Sequence, residues 1–289
     1  MAGGGVAEAA EELHRARVAR RTVAPLSERW PDMTPADAYA VQAAGIQARL
    51  AEGETVIGGK LGFTSAAMRR AMGVDSPNYG WLTDAMLLGG PEVDVADHVS
   101  SRMIHPKVEP EIAVRLAADL EAPVTAAEVL AATESVMACL ELVDSRFTGF
   151  RFGPLDNIAD NSSAGAVVLG QPVPLGDINL RLIGVVVEVD GAVHHTAAGA
   201  AAHDDPAAAV AWMVNHCARP LAAGSLVISG GLTAPVTLVE PLPGGHDRGL
   251  TDGYAENPPI VHNHVPTVTA HFDRLGSVTV HAAVPHPTA

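Results

Sequence analysis

With two cysteines, Cys139 and Cys217, in 289 residues, the chain has too few for a disulfide framework. Each sits inside a patterned segment, so both are expected as buried thiols of a reducing compartment. No apolar stretch of about 18 residues runs without polar interruption, and the opening MAGGGVAEAAEE lacks the basic and apolar regions of a secretory signal. A cytoplasmic protein outside the membrane is the expectation. Cations are also scarce: 18 Lys and Arg against 33 Asp and Glu leave a formal charge of -15. The few arginines form no basic stripe, which opposes nucleic acid as a partner. Such acidity repels small anions at long range, so a site that processes one needs a local cation.

Hydrophobic residues, by contrast, make up 48% of the chain, ample for a large core without covalent staples. Val6 to Arg21 reads as a charged amphipathic helix. Thr34 is expected to cap a second helix, with Pro35 at its first position, Asp37 in its first turn and Gly53 past its end. Val56 to Phe63 reads as a strand whose Gly58, Gly59 and Gly62 suggest close approach of another backbone or a ligand. Thr64 or Ser65 then caps a short helix stopping at Gly73. Thr125 and Glu128 form a capping box for a helix to roughly Leu140. Val185 to His195 reads as a hairpin turning at Asp190 and Gly191. Asp205 and Pro206 open a helix to about Cys217, and Leu226 to Ser229, Val236 to Glu240, Val268 to Phe272 and Val278 to His281 read as strands. The class is α+β, with a helical α/β region at 1–90 and a β-rich region at 91–289. Pro241 to Pro266 is expected as a long functional or disordered loop, in which His262 and His264 are either surface residues or a pair of metal ligands.

The segment HPKVEPEIAVRL carries the most chemistry. If it is a strand, Glu109 and Glu111 share one face while Val108, Ile112, Val114 and Leu116 fill the other. Two adjacent carboxylates repel, and a cation between them keeps both ionised, although a solvated acidic face has the same pattern. Glu141 alternates with Leu140 and Leu142 in ACLELVDSRF, and a charge in such a run needs a partner. Three carboxylates suit magnesium or manganese with positions left open, while three unrelated surface glutamates fit the spacing as well.

Read together, PDMTPADAYAVQ, GGKLGFTSAAMRRAMGV, YGWLTDAM, IHPKVEPEIAV, LELVDSRF, IADNSS, AGSLVISGGLTA and LGSVTV resemble the fumarylacetoacetate hydrolase superfamily. Within it, the chain is similar to the branch of 2-oxopent-4-enoate hydratases and 4-oxalocrotonate decarboxylases. The motifs run in family order from about Pro31 to Val280. The resemblance implies a mixed β-sheet roll or barrel core, a magnesium ion (or manganese) held by Glu109, Glu111 and Glu141, and Lys60 as the catalytic cation. It further implies Gly62, Ser163, Ser229 and Gly230 at the substrate, a small 2-oxo acid. A homo-oligomer, or a complex between a hydratase and a decarboxylase, is the implied assembly.

Both reactions of the branch pass through one dienolate, reached by loss of carbon dioxide from a 2-oxohex-3-enedioate or by ketonisation of a dienol before water adds. Position 78 helps to separate them. The resembled hydratases tend to carry an acid there, whereas this chain has Asn78, and an amide cannot serve as general base at neutral pH. Decarboxylation of a 4-oxalocrotonate-like diacid is therefore the expectation, with hydration, or another 2-oxo acid, as the alternative. Asp84 is a nearby carboxylate that could substitute as a base or serve only as a turn residue. The acid at Asp205, where relatives commonly have histidine, and the long loop are the departures that bear on the substrate's distal group.

Overall fold

The computed structural model describes residue 1, residues 4–238 and residues 266–281. The Pro241 to Pro266 loop, with His262 and His264, thus lies outside the described residues apart from Pro266 itself.

Helices form where the caps predict them. After α1 (Gly5–Ala19) and the short α2 (Leu26–Arg29), α3 (Pro35–Ala51) opens with a reciprocal capping box between Thr34 and Asp37. Ser65 caps α4 (Ala66–Met72), which ends at left-handed Gly73. Then come α5 (Ala96–Arg102), α6 (Ala126–Ala131), α7 (Pro154–Ala159) and α8 (Pro206–His216), the last capped by Asp205. Leu13 of α1, Val41 of α3 and Ile158 of α7 share one apolar cluster with Leu26 and Phe147.

The strands are β1 (Val56–Gly62), β2 (Asn78–Thr83), β3 (Glu92–Asp94), β4 (Lys107–Leu116), β5 (Thr133–Val143), β6 (Ala164–Leu169), β7 (Val173–Pro174), β8 (Gly184–Val189), β9 (Ala192–Ala198), β10 (Leu226–Ile228), β11 (Val236–Thr237), β12 (Thr267–Phe272) and β13 (Gly276–His281). One sheet runs β2-β1-β10-β4-β5-β6, with β11 beside β4 and β7 beside β5; the other runs β3-β13-β12-β8-β9. Both are mixed: β1 with β10 and β3 with β13 pair in parallel. The α+β roll is present, but as two open sheets rather than a closed barrel among the described residues. Residue 90 falls between β2 and β3, while β1 and β2 hydrogen-bond into the sheet of β4 and β5.

Alternation explains the layering. Val108, Ile112, Val114 and Leu116 of β4, with Val136, Ala138, Leu140 and Leu142 of β5, pack with Val185, Val187, Val268, Ala270, Val278 and Val280 of the second sheet. The opposite face of β4 and β5 buries Ala113, Met137 and Cys139 with Leu226 and Ile228. Gly58 exists because a Cβ there would collide with the Leu226 carbonyl of the parallel neighbour β10.

Two expectations need correction. The helix opened by Thr125 ends at Ala131, and the residues from Thr133 onward form β5 instead. From Val136 to Val143 this strand is buried on both faces, so it shows no alternation and reads like a buried helix. Cys139 is buried, whereas Cys217 is only half-buried; both are free thiols. No described helix is long and apolar enough to cross a membrane.

Candidate active site

The antiparallel register of β4 and β5 sets Glu109 directly opposite Glu141, with Glu111 two residues further along the same face opposite Cys139. One carboxylate oxygen from each of the three lies within 4.8 Å of the others. Glu111 and Glu141 are fully buried. The Gly230 N–H donates to Glu111 Oε2 at 2.7 Å, but Glu111 Oε1 and both oxygens of Glu141 accept no directed hydrogen bond. Lys60 Nζ lies 2.8 Å from Glu141 Oε1, an ion pair by distance, and donates to the Ser162 carbonyl at 2.6 Å.

One lysine does not neutralise three carboxylates. Buried oxygens without donors, converging from two strands, fit a hard divalent cation, which supplies the missing charge and takes oxygen ligands. Without the ion the cost appears as proton uptake. Burial, then the charge of Glu141, pushes Glu109 up to about 7 against the pull of Lys60 and Lys107. Burial and Glu141 hold Glu111 well above the carboxylate range, and burial also raises Glu141 despite Lys60.

These shifts predict a pH dependence. A carboxyl whose folded pKa is raised binds more protons folded than unfolded between the ordinary carboxylate range and its folded value. Stability of the metal-free protein therefore falls as pH rises through that window, which ends at about 7 for Glu109, and the raised pKa of Glu111 acts in the same direction. Divalent-ion affinity should rise over the same window, because ion and protons compete. Thermal melts and calorimetric magnesium titrations from pH 5 to 8 check both slopes. Affinity independent of pH would remove the three glutamates as ligands.

The surrounding residues hold this cluster in place. Ser229 Oγ accepts the Ile112 N–H at 3.1 Å, which ties the turn carrying Gly230 to β4. Asn161, Ser162 and Ser163 all have left-handed φ values, of 53°, 53° and 55°. Three such non-glycine residues in a row store strain, and the run leaves the Ser162 carbonyl on Lys60. A relay of side chains supports it: Ser162 Oγ donates to Asn78 Oδ1 at 2.9 Å, Asn78 Nδ2 to Asn157 Oδ1 at 2.7 Å, and Asn157 Nδ2 to Ser163 Oγ at 3.0 Å. Gly62 is required beside the relay, since a Cβ there would collide with Asn78 Oδ1 and Ser162 Oγ.

A cavity of about 240 Å³ opens onto the cluster. Lys60, Gly62, Glu109 and Ser163 line it, and Met68, Met72, Phe150 and Phe152 give it an apolar wall. Glu111 and Glu141 lie behind Glu109, fully buried, with carboxylate oxygens within 4.8 Å of it. The structure thus brings Lys60, Gly62, Glu109, Glu111, Glu141 and Ser163 to one place, with Ser229 and Gly230 immediately behind Glu111. Asn78 is buried behind Gly62, with both amide atoms engaged. Asp84 is not brought there: it accepts from Thr55 N–H at 2.9 Å, Thr55 Oγ at 2.7 Å and Ala85 N–H at 2.9 Å on the outer side of β2. Asp205 is likewise a helix cap, accepting the Ala207 N–H at 2.9 Å.

Sequence reasoning missed Ser162, Asn157 and Lys107. Lys107 was legible, because period two puts it on the face of Glu109 and Glu111. The part of Ser162 was not, since its backbone carbonyl does the work. Size alone does not choose the site: a cleft of about 360 Å³ lies among Arg17, Arg49, Arg102 and Arg146. Three of these arginines are already paired, with Glu52, Glu54 and Asp160, and among the described residues no three carboxylates converge there.

Fold and cluster define the class, an enzyme of the fumarylacetoacetate hydrolase fold built to hold a divalent metal. No family model matches the chain. It is 44% identical over 210 residues to a 2-hydroxypent-2,4-dienoate hydratase of Pseudomonas putida, covering 72% of this chain and 93% of that protein. It is 38% identical over 232 residues to a 4-oxalocrotonate decarboxylase of Pseudomonas sp. (strain CF600), covering 78% and 86%. Among solved structures, the 4-oxalocrotonate decarboxylase of Pseudomonas putida G7, complexed with magnesium and adipate, superposes with a TM-score of 0.83 at 31% identity, covering 97% of this chain and 98% of that one. The chain therefore belongs to the hydratase and decarboxylase branch of the fumarylacetoacetate hydrolase superfamily.

Proposed function

We propose that the chain is a magnesium-dependent carbon-carbon lyase that releases carbon dioxide from a 2-oxohex-3-enedioate. The observation that carries this reading is the set of three converging glutamates, two of them fully buried with oxygens that accept no directed hydrogen bond, with Lys60 beside them at an apolar-walled cavity. An all-carboxylate site suits magnesium, with manganese as the alternative. When bound, the ion supplies Lewis-acid stabilisation of negative charge on the substrate's 2-oxygen.

The chain's own residues account for the rest. Lys60, held by Glu141 and the Ser162 carbonyl, fixes a positive charge at the end that takes the α-keto acid head. Met68, Met72, Phe150 and Phe152 exclude water along the carbon chain. A poorly hydrated distal carboxylate is converted more readily to neutral carbon dioxide. The bond between C5 and C6 breaks, C6 leaves as carbon dioxide, and its electron pair passes through C4 and C3 to the 2-oxygen, which takes a proton. The product is 2-hydroxypenta-2,4-dienoate. A relative solved with adipate, a saturated six-carbon diacid, supports a diacid of this length.

Hydration is the second reading, favoured by the 44% identity to a hydratase. Asn78 opposes it, because its amide is locked between Ser162 and Asn157 and takes no proton from water. The test is to incubate the protein, with chelator or with magnesium, with each substrate. Magnesium-dependent carbon dioxide from 2-oxohex-3-enedioate is the expected result. A 4-hydroxy-2-oxo acid from 2-hydroxypenta-2,4-dienoate, without carbon dioxide from the diacid, selects hydration. No product from either substrate overturns both.

A further inference from the structure

Lys107 begins β4 two residues before Glu109, and alternation places it on the glutamate face. It lines the same cavity. Burial increases along that face, from partly exposed Lys107 and Glu109 to fully buried Glu111, so Lys107 marks the outer end and the carboxylate cluster the inner one. Its Nζ stands 4.5 Å from the centroid of the Phe150 ring. Among the described residues it has no hydrogen-bond or ion-pair partner, whereas the other cations nearby are engaged. Lys60 is held by Glu141 and Ser162, and Arg69 donates to the Thr64 carbonyl at 2.5 Å. A cation poised over an aromatic face, in a cavity whose other charged end is anionic, is matched to a ligand with a second negative group. Two strand residues span about 6.8 Å, comparable to the carbon spacer of a six-carbon diacid.

We propose that Lys107 is the specificity residue for the distal carboxylate, so that the cavity selects 2-oxo diacids over 2-oxo monoacids. This rests on the reading of the glutamate end as an α-keto acid site. Pairing a carboxylate that must leave as neutral carbon dioxide holds the ground state more than the transition state, so loss of Lys107 raises KM and does not lower kcat. The product lacks the distal carboxylate and loses this contact, which favours its release.

Calorimetric titration of the magnesium-loaded protein with 2-oxoadipate and 2-oxohexanoate, which differ only in the distal carboxylate, tests the assignment. Wild type should bind the diacid about tenfold more tightly. Lys107→Met should abolish that preference by weakening the diacid alone, leaving the affinity of the magnesium-loaded protein for the monoacid unchanged. Lys107→Glu should reverse the preference. In turnover, Lys107→Met should raise KM for the enedioate about tenfold without lowering kcat. Equal loss for both acids overturns the proposal by making Lys107 a support of the glutamate cluster. A wild type that binds both acids without preference overturns it while leaving the proposed function standing. One that binds neither acid overturns that function as well.

Discussion

Glu111→Gln and Glu141→Gln, made singly, are expected to lower magnesium affinity and turnover by at least about a hundredfold each, since even residues that only support metal ligands cost 10–100-fold when removed. Metal-free stability should move the other way. At pH 8 the metal-free wild type must either keep a proton on Glu111 or bury several carboxylate charges around Lys60. The amide removes that choice. Glu111→Gln should therefore melt higher than wild type at pH 8 and nearly with it at pH 5, where the unfolded carboxylates also begin to take up protons. Melting curves with chelator and with magnesium separate the two effects: wild type should gain strongly from the ion and the variant little. A variant that still gains as much as wild type would mean that the ion binds elsewhere.

Lys60→Met carries the second large effect. Its ammonium is the described cation in direct contact with the cluster, 2.8 Å from Glu141, and only 2% of the residue is exposed. Turnover should fall by roughly 10²–10⁴-fold, the range for a positioned charge or proton-transfer group at a reacting centre. Removing one partner of a buried ion pair costs about 3–5 kcal/mol when the other stays charged. The metal-free variant should thus be clearly destabilised at pH 8 and less so as pH falls and Glu141, its pKa already raised by burial, takes up a proton. Magnesium should restore stability, because the ion replaces the lost charge, but not turnover. Recovery of turnover together with stability would reduce Lys60 to a counter-ion.

Much of this site is legible in the sequence where the encoding is local. Period two around Glu109 and Glu111 follows from apolar residues at Val108 and Ile112. The boxes at Thr34 and Thr125, the caps at Ser65 and Asp205 and the Asp190-Gly191 turn each satisfy backbone groups within a few residues of themselves. The same local signals misled after Thr125. The box is real, but the residues behind it enter the middle of a sheet, where burial on both faces erases alternation. Asp84 also sits near the site in sequence only, since its carboxylate is consumed in holding Thr55.

By itself, then, the sequence determined the elements, the face shared by Glu109 and Glu111, and, through its ordered motifs, the superfamily. Tertiary structure alone decided that Glu141 stands opposite Glu109, that Lys60 reaches Glu141 across a parallel β1 and β10, and that Asn78 is locked into a relay rather than free to act on water. It also decided that Lys107 has the outer end of the cavity without a carboxylate partner among the described residues. Caps, turns and alternation are set by neighbours along the chain, whereas strand register and the pairing of buried charges are set by packing between segments distant in sequence, such as Glu109 with Glu141 and Gly58 with Leu226. No local pattern records which partner a buried carboxylate will find.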